Sequence, residues 1–264
     1  RFAYELTGLG SEHWSVSVPS YTFKATYSAA KAVHPDISVN LYDLGEMPND
    51  KDVMAVAHIA GEIFPLPKHE CIVIEDAAQA LGAIKNPTSF AQIWSFYPAK
   101  ILGAYGDAGA LTTNDPEVAR LVREGRNHFK NTDEDWGSNS RMDNLQAAIL
   151  NVKFKYLPGI LAKRESIAKI YLSELKDLPI MLPNDQPGRV WQDFIVQTEK
   201  RDELYSFLKE KEIETMKNNY PFPITKPPLA QKYEDETLRI PCNETLEDFE
   251  IDGIIKAIRQ FYEK

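Results

Sequence analysis

The sequence predicts an α/β fold in two parts: a large α/β/α domain with a mostly parallel central sheet over residues 1–157, and a small C-terminal α+β domain over 158–264. Three observations predict it. Short runs of β-branched and apolar residues, at 39–43, 52–61 and 72–76, alternate with helical segments. The run Ile72-Val73-Ile74-Glu75-Asp76 is apolar until two acids at its carboxyl end, the edge at which α/β sheets bind ligands. From Pro179 onward the pattern changes to short strands and charged amphipathic helices.

Taken in order, residues 1–10 read as the last turns of an apolar helix with a glycine stop. A helix that starts mid-pattern at Arg1 suggests that sequence precedes it. Trp14 to Pro19 alternates as a strand and hands over to a helix at 24–33, introduced by a proline and hydroxyl residues and ended by His34-Pro35. Residues 83–94 form a loop feeding a strand. After the glycines at 103, 106 and 109 a strand closes near Asp115, and 116–125 is a helix with proline in its first turn. A polar loop follows from Arg126, its acids at 133–135 reading as a solvated face. Asp143 is expected to cap a helix to about 151, and 158–177 is a second one, packed through Ile160, Leu161, Ile167, Ile170, Tyr171 and Leu175. Strands are expected at 180–183, 190–196 and 240–241, and helices at 200–211 and 246–263. Pro221, Pro223, Pro227 and Pro228 are expected to stiffen a loop.

Composition bounds the function. With 264 residues, 43% of them hydrophobic, the chain can bury a sizeable core. Its 39 acids against 30 bases argue against nucleic acid as a partner. No apolar run approaches the roughly 20 residues of a membrane span, no signal-peptide pattern opens the chain, and two isolated cysteines, Cys71 and Cys242, suit a reducing compartment. The expectation is a cytoplasmic protein with no membrane partner. No Rossmann glycine fingerprint, P-loop, zinc spacing or Ser-His-Asp arrangement is present.

Chemistry concentrates in two stretches. Lys100 sits in Phe96-Tyr97-Pro98-Ala99-Lys100-Ile101-Leu102-Gly103, a tight glycine-bearing loop between two strands. A lysine among apolar and aromatic neighbours loses its charge readily and becomes a nucleophilic amine. Glu75 and Asp76 point to opposite sides of their strand, so one of them faces the site, and Asp76 is the choice. A buried carboxylate needs a cationic partner. A protonated pyridine nitrogen would serve, the pairing found in pyridoxal phosphate enzymes with a Schiff-base lysine. His58 reads as a satisfied core histidine at a strand end.

Four stretches in this order carry a resemblance: 72–79, 95–100, Gly106-Asp107-Ala108-Gly109, and 137–148 with Asn139, Arg141 and Asp143. In order and spacing they resemble the DegT/DnrJ/EryC1/StrS family of sugar aminotransferases, as do Tyr220 and the Arg239-Ile240-Pro241-Cys242 run later in the chain. The resemblance implies a fold type I transferase and pyridoxal 5'-phosphate as cofactor. It implies an amino-acid donor, with glutamate expected, and a nucleotide-linked keto-sugar as acceptor. Lys100 would be the Schiff-base lysine and proton carrier, Asp76 the partner of the pyridine nitrogen, Gln79 that of the phenolic oxygen, and Phe23 the stacking ring, although an aromatic at a helix start reads by itself as core. Ser95 would meet the phosphate, and Asn139 and Arg141 would reach it across a homodimer with shared active sites. The family's Ser-Gly-Thr phosphate turn has no match in these residues, and Asn219 stands where the family often has histidine. Two other readings stay open: a dehydratase of the same superfamily, against which Lys100 argues, and a non-catalytic binding protein.

Overall fold

The computed structural model describes residues 1–8, 10, 12, 15–48, 52–68, 70–83, 88–132, 136–217, 220 and 226–263. Trp14, the acids at 133–135, Asn219, Pro221 and Pro223 lie outside them. After a short helix α1 (Phe2–Leu6), the apolar runs form β1 (Ser15–Pro19), β2 (Ser38–Tyr42), β3 (Val53–Ala57), β4 (Ile72–Asp76), β5 (Ala91–Ser95) and β6 (Gly109–Thr112), with helix α2 (Lys24–Lys31) between the first two strands. They make one sheet in the order β2-β1-β3-β4-β5-β6. The first five strands are parallel and β6 is antiparallel to β5. From β2 the chain crosses back to the other side of β1, so the order reverses between β1 and β3, the arrangement that opens a crevice at the carboxyl ends.

Every residue of β3 is buried, as a central parallel strand requires. Period-two alternation sorts its side chains: Val53 and Ala55 pack with Ile74, Val16 and Tyr4, whereas Met54 and Val56 pack with Val73. The same alternation divides the two acids of β4. Glu75 is buried, and its carboxylate receives hydrogen bonds from His58 Nε2 at 2.8 Å, Gln92 Nε2 at 3.2 Å and the Ser89 hydroxyl. The Phe64 N–H donates to His58 Nδ1 at 3.2 Å, which leaves the proton on Nε2. Burial alone would push Glu75 up, but the bonds from His58 and Ser89 outweigh it and hold the acid below its usual range. His58 is therefore a core histidine, as its sequence context suggested.

Helices α3 (Pro116–Gly125), α4 (Asn144–Phe154) and α5 (Leu157–Glu174) follow. Asp115 caps α3 by accepting from the N–H groups of Glu117 and Val118. Neither Phe23 before α2 nor Asp143 before α4 makes a side-chain cap bond, and α2 stops at Lys31, two residues early. The remainder folds into a second sheet of β7 (Phe194–Gln197), β8 (Met216–Lys217) and β9 (Thr237–Ile240), ordered β7-β9-β8 and antiparallel. It carries helices α6 (Arg201–Glu210), α7 (Pro228–Glu236) and α8 (Asp248–Tyr262). Ile167, Tyr171 and Leu175 of α5 and its C-cap join Leu204, Leu208, Leu238 and Ile254 in one core. Ile170 faces out instead, because it falls off that stripe.

Three expectations fail here for identifiable reasons. The strand at 180–183 shrinks to one bridge, Met181 with Gln197, since Pro183 supplies no N–H for a ladder. The strand at 190–196 begins only at Phe194: Gln192 turns its amide to the Lys100 loop, while Trp191 packs into the second core against Phe194. Pro227 and Pro228 open helix α7 rather than a loop, proline being well suited to a first helical turn.

The two halves meet where a short 3₁₀ turn, Ile59–Gly61, lies against Val190, whose N–H donates to Gly61 O at 3.1 Å. Gly61 has φ +81°, and a Cβ there would lie 1.8 Å from Val190 O. Gly61→Ala should therefore cost at least about 2 kcal/mol, from left-handed backbone strain and overpacking together. A urea midpoint equal to that of the wild type would contradict this account of the junction.

Candidate active site

The carboxyl ends of β1, β3, β4 and β5 open into a cavity of about 1180 Å³, with the second sheet closing its far side. Phe23 and Thr26 reach it from the β1 side, Asp76 and Gln79 from β4, and Ser95 and Lys100 from β5. Arg141 lines it from the segment before α4, Gln192 and Asp193 from the segment leading into β7, and Arg239 from β9 of the second sheet. The crevice thus lies at the reversal of strand order.

Asp76 ends β4 on the face opposite Glu75. Its Oδ2 accepts from the Thr26 hydroxyl at 2.5 Å and its Oδ1 from the Ala78 N–H at 3.2 Å. Thr26 is itself braced by Thr22 at 3.1 Å, and Tyr4 donates to its carbonyl at 3.1 Å. No arginine, lysine or histidine among the described residues forms an ion pair with Asp76. A half-buried carboxylate oriented by neutral donors suits a cationic ligand atom.

Lys100 stands in the loop between β5 and β6. That loop is closed on itself: Ala104 N–H donates to Phe96 O at 2.8 Å and Lys100 N–H to Tyr97 O at 2.9 Å. Glycine is needed at 103, where a Cβ would lie 2.2 Å from Pro98 O. Burial lowers the Lys100 pKa from its ordinary value; Asp193 and Asp76 oppose this, and Arg239 adds to it. Gln192 then grips the loop from the segment leading into β7. Its Oε1 accepts from the Ile101 N–H at 3.0 Å and its Nε2 donates to Ala99 O at 3.1 Å, so both residues flanking Lys100 are fixed. No spacing rule could have found Gln192, which lies some ninety residues further along the chain.

Gln79 Oε1 accepts from the Ala60 N–H at 2.6 Å. That bond commits the oxygen and leaves the amide's two N–H groups as donors. Phe23 is 62% exposed and presents its ring to the cavity, so it is not a core residue; the buried aromatic beside it is Tyr21, packed edge-on against Tyr220 and Tyr233. Ser95 ends β5, its hydroxyl accepting from the Tyr97 N–H at 3.3 Å. Arg141 is exposed at the rim and donates through Nε to Asn139 Oδ1 at 3.3 Å. Asn139 bridges to Asn127 and does not line the cavity of its own chain.

The donor set fits pyridoxal 5'-phosphate. An unpaired acid for a pyridine nitrogen, an amine of depressed pKa, an exposed aromatic face, an amide donor and a serine hydroxyl converge on one crevice. No group of three or more potential metal ligands occurs among the described residues.

The model of the DegT/DnrJ/EryC1/StrS aminotransferase family matches residues 47–259. The dTDP-3-amino-3,4,6-trideoxy-alpha-D-glucose transaminase of Streptomyces venezuelae is 33% identical, the alignment covering 94% of this chain and 76% of the relative. A pleiotropic regulatory protein of Geobacillus stearothermophilus is 34% identical over 92% of this chain and 68% of its own. Among solved structures, S. venezuelae DesV in complex with a ketimine intermediate superposes with a TM-score of 0.85 at 29% identity, over 100% of this chain and 82% of that one.

Because the ammonium of Lys100 is desolvated on folding, its protonated form opposes the fold. The penalty is fully present below the folded-state pKa and is relieved as pH rises toward the unfolded value of 10.5. Lys100→Met in cofactor-free protein should raise the urea midpoint near neutral pH, and the gain should shrink as pH is raised toward that value. A gain that is constant with pH, or a loss, would refute the burial argument.

Proposed function

Since the chain belongs to the DegT/DnrJ/EryC1/StrS aminotransferase family, we propose that it transfers an amino group from an amino acid, glutamate by expectation, to a nucleotide-linked keto-sugar in amino-sugar biosynthesis. The cofactor of the family is pyridoxal 5'-phosphate, which when bound supplies an electron sink for the carbon that loses and gains the proton. The observation that carries the proposal is that one cavity holds both Lys100, an amine whose pKa burial lowers, and Asp76, a carboxylate with no ion-pair partner among the described residues.

In this reading each residue has a defined task. The Lys100 amine is the nucleophile toward a carbonyl carbon and afterwards carries the proton to and from the reacting carbon. Burial, by lowering its pKa, favours the free base that this role needs. Asp76, aligned by Thr26, would keep the pyridine nitrogen protonated. Gln79 would donate to the phenolic oxygen, Phe23 would cover a ring face, and Ser95 would bond the phosphate. The clamp by Gln192 keeps Lys100 from drifting while it moves protons. We take 1–157 as the large domain and 158–264 as the small one, with the site between them. A regulatory name belongs to one relative, but the amine and acid that chemistry needs both line the cavity of this chain. Neither Cys71 nor Cys242 is in a disulfide, which supports a reducing, cytoplasmic setting.

We further propose a homodimer with shared sites. Helix α4 buries only Leu150, while Leu145 is 69% and Phe154 58% exposed, with Val152 and Tyr156 exposed beside them. Such an apolar surface suits a second copy. Asn139 and Arg141 lie just before this helix and would complete the partner's phosphate site.

Two experiments test these proposals. Purified protein given the cofactor should show an absorption band near the visible edge that borohydride bleaches, and Lys100→Ala should abolish both band and transfer while the protein stays folded; transfer retained by that variant would sink the assignment. Mixing Lys100→Ala chains with Arg141→Ala chains should restore about one working site per heterodimer. No recovery, with both variants folded and exchanging, would assign Arg141 to its own chain's cavity.

A further inference from the structure

Arg239 of β9 stands on the cavity wall beside Lys100 with much of its hydrogen-bonding capacity unspent. Its side chain is 23% exposed and pairs with Asp193, itself 16% exposed, through Nη1 to Oδ2 at 3.1 Å. Among the described residues Nη2 meets only the sulfur of Met216, a weak acceptor. Nε is buried and has no hydrogen-bond partner among the described residues. The Nε–Nη2 edge is the one that matches a carboxylate in a two-bond fork. The exposed, unbranched side chain of Met216 lies against Nη2 on that edge.

The other cations lining the cavity are committed elsewhere. Lys217 is paired with Asp202 at 2.5 Å, Arg1 with Glu5 at 2.9 Å, and Arg141 is exposed at the rim. Lys100 is the reacting amine. Arg239 is near enough to Lys100 to act on its charge, as is Asp193. The clamp by Gln192, the neighbour of Asp193, holds the Arg239 pair and the Lys100 loop in fixed register.

We propose that Arg239 is the carboxylate subsite for the amino-acid donor, with Asp193 as the internal counter-ion that holds the guanidinium edge toward the cavity. The proposal rests on the aminotransferase reading. An amino acid carries its amine and a carboxylate on one carbon, so a donor that brings its nitrogen to the position of the Lys100 amine sets its carboxylate against the adjacent wall. Displacement of the Met216 thioether opens the Nε–Nη2 fork. Asp193 stays on Nη1, where it repels a second anion and limits the subsite to one carboxylate.

The test is calorimetric titration of the holoenzyme with succinate, a dicarboxylate without an amine, and separately with uridine diphosphate. Arg239→Gln should weaken succinate by about 10- to 100-fold, the loss of charge-assisted bonds to a carboxylate, and raise the KM for glutamate more than it lowers kcat. Uridine diphosphate should bind the variant within about twofold of the wild type. Unchanged succinate binding overturns the proposal. Weakening of uridine diphosphate instead of succinate also overturns it, by making Arg239 a nucleotide phosphate site. If Arg239→Gln does not fold, Asp193→Asn should tighten succinate by about threefold or more, since it removes the competing and repelling carboxylate; equal or weaker binding is the contrary result. Absence of the borohydride-sensitive band would defeat the aminotransferase reading, whereas a normal band and transfer with unaltered succinate binding would defeat the subsite alone.

Discussion

A carboxylate that ends a buried strand without a cation of its own is the constraint on which this site depends. β4 is apolar up to its two terminal acids and sits in the middle of the sheet, so its side chains alternate between two packed faces. Alternation sends Glu75 to one face and Asp76 to the other. The two acids then meet opposite fates. Glu75 is consumed by His58, Ser89 and Gln92 and becomes part of the core. Asp76 receives only neutral donors and opens onto a cavity, and a charge so placed is retained at a cost unless a ligand compensates it.

The Lys100 loop answers that acid from the neighbouring strand. Its position is over-determined: glycine 103 lets the chain fold back on Pro98, Phe96 closes the loop by its backbone, and Gln192 pins both flanks of the lysine. For the proton-carrying role proposed for Lys100 such rigidity is an advantage, because a group held in place has already lost the freedom that positioning would cost. The clamp also links the two sheets. The segment 190–193 touches the 3₁₀ turn at Gly61 through Val190 and the Lys100 loop through Gln192, and it presents Asp193 to Arg239. One irregular stretch thus couples the placement of the site's walls to the packing of both cores.

Much of this was legible beforehand because it depends on local rules. Strand periods, the proline at the start of α3, the glycines of the Lys100 loop and the two-sided reading of Glu75 and Asp76 all follow from residue type and spacing. His58 was read correctly as a core group for the same reason. What misled were prolines: Pro227 and Pro228 suit a first helical turn as well as a loop, and composition does not separate the two.

The sequence by itself determined the fold class, the family, and the identity of the amine and acid that face each other, since short-range periodicity and ordered motifs carry that information along the chain. Tertiary structure decided the rest. It made Phe23 a cavity wall rather than core, left Asn139 outside its own chain's cavity, gave Gln79 the orientation of a donor, and brought Gln192, Asp193 and Arg239 to the side of Lys100. The physical reason is separation: those contacts join residues far apart in the chain, and whether they form depends on how two independently packed cores dock, which no local pattern encodes.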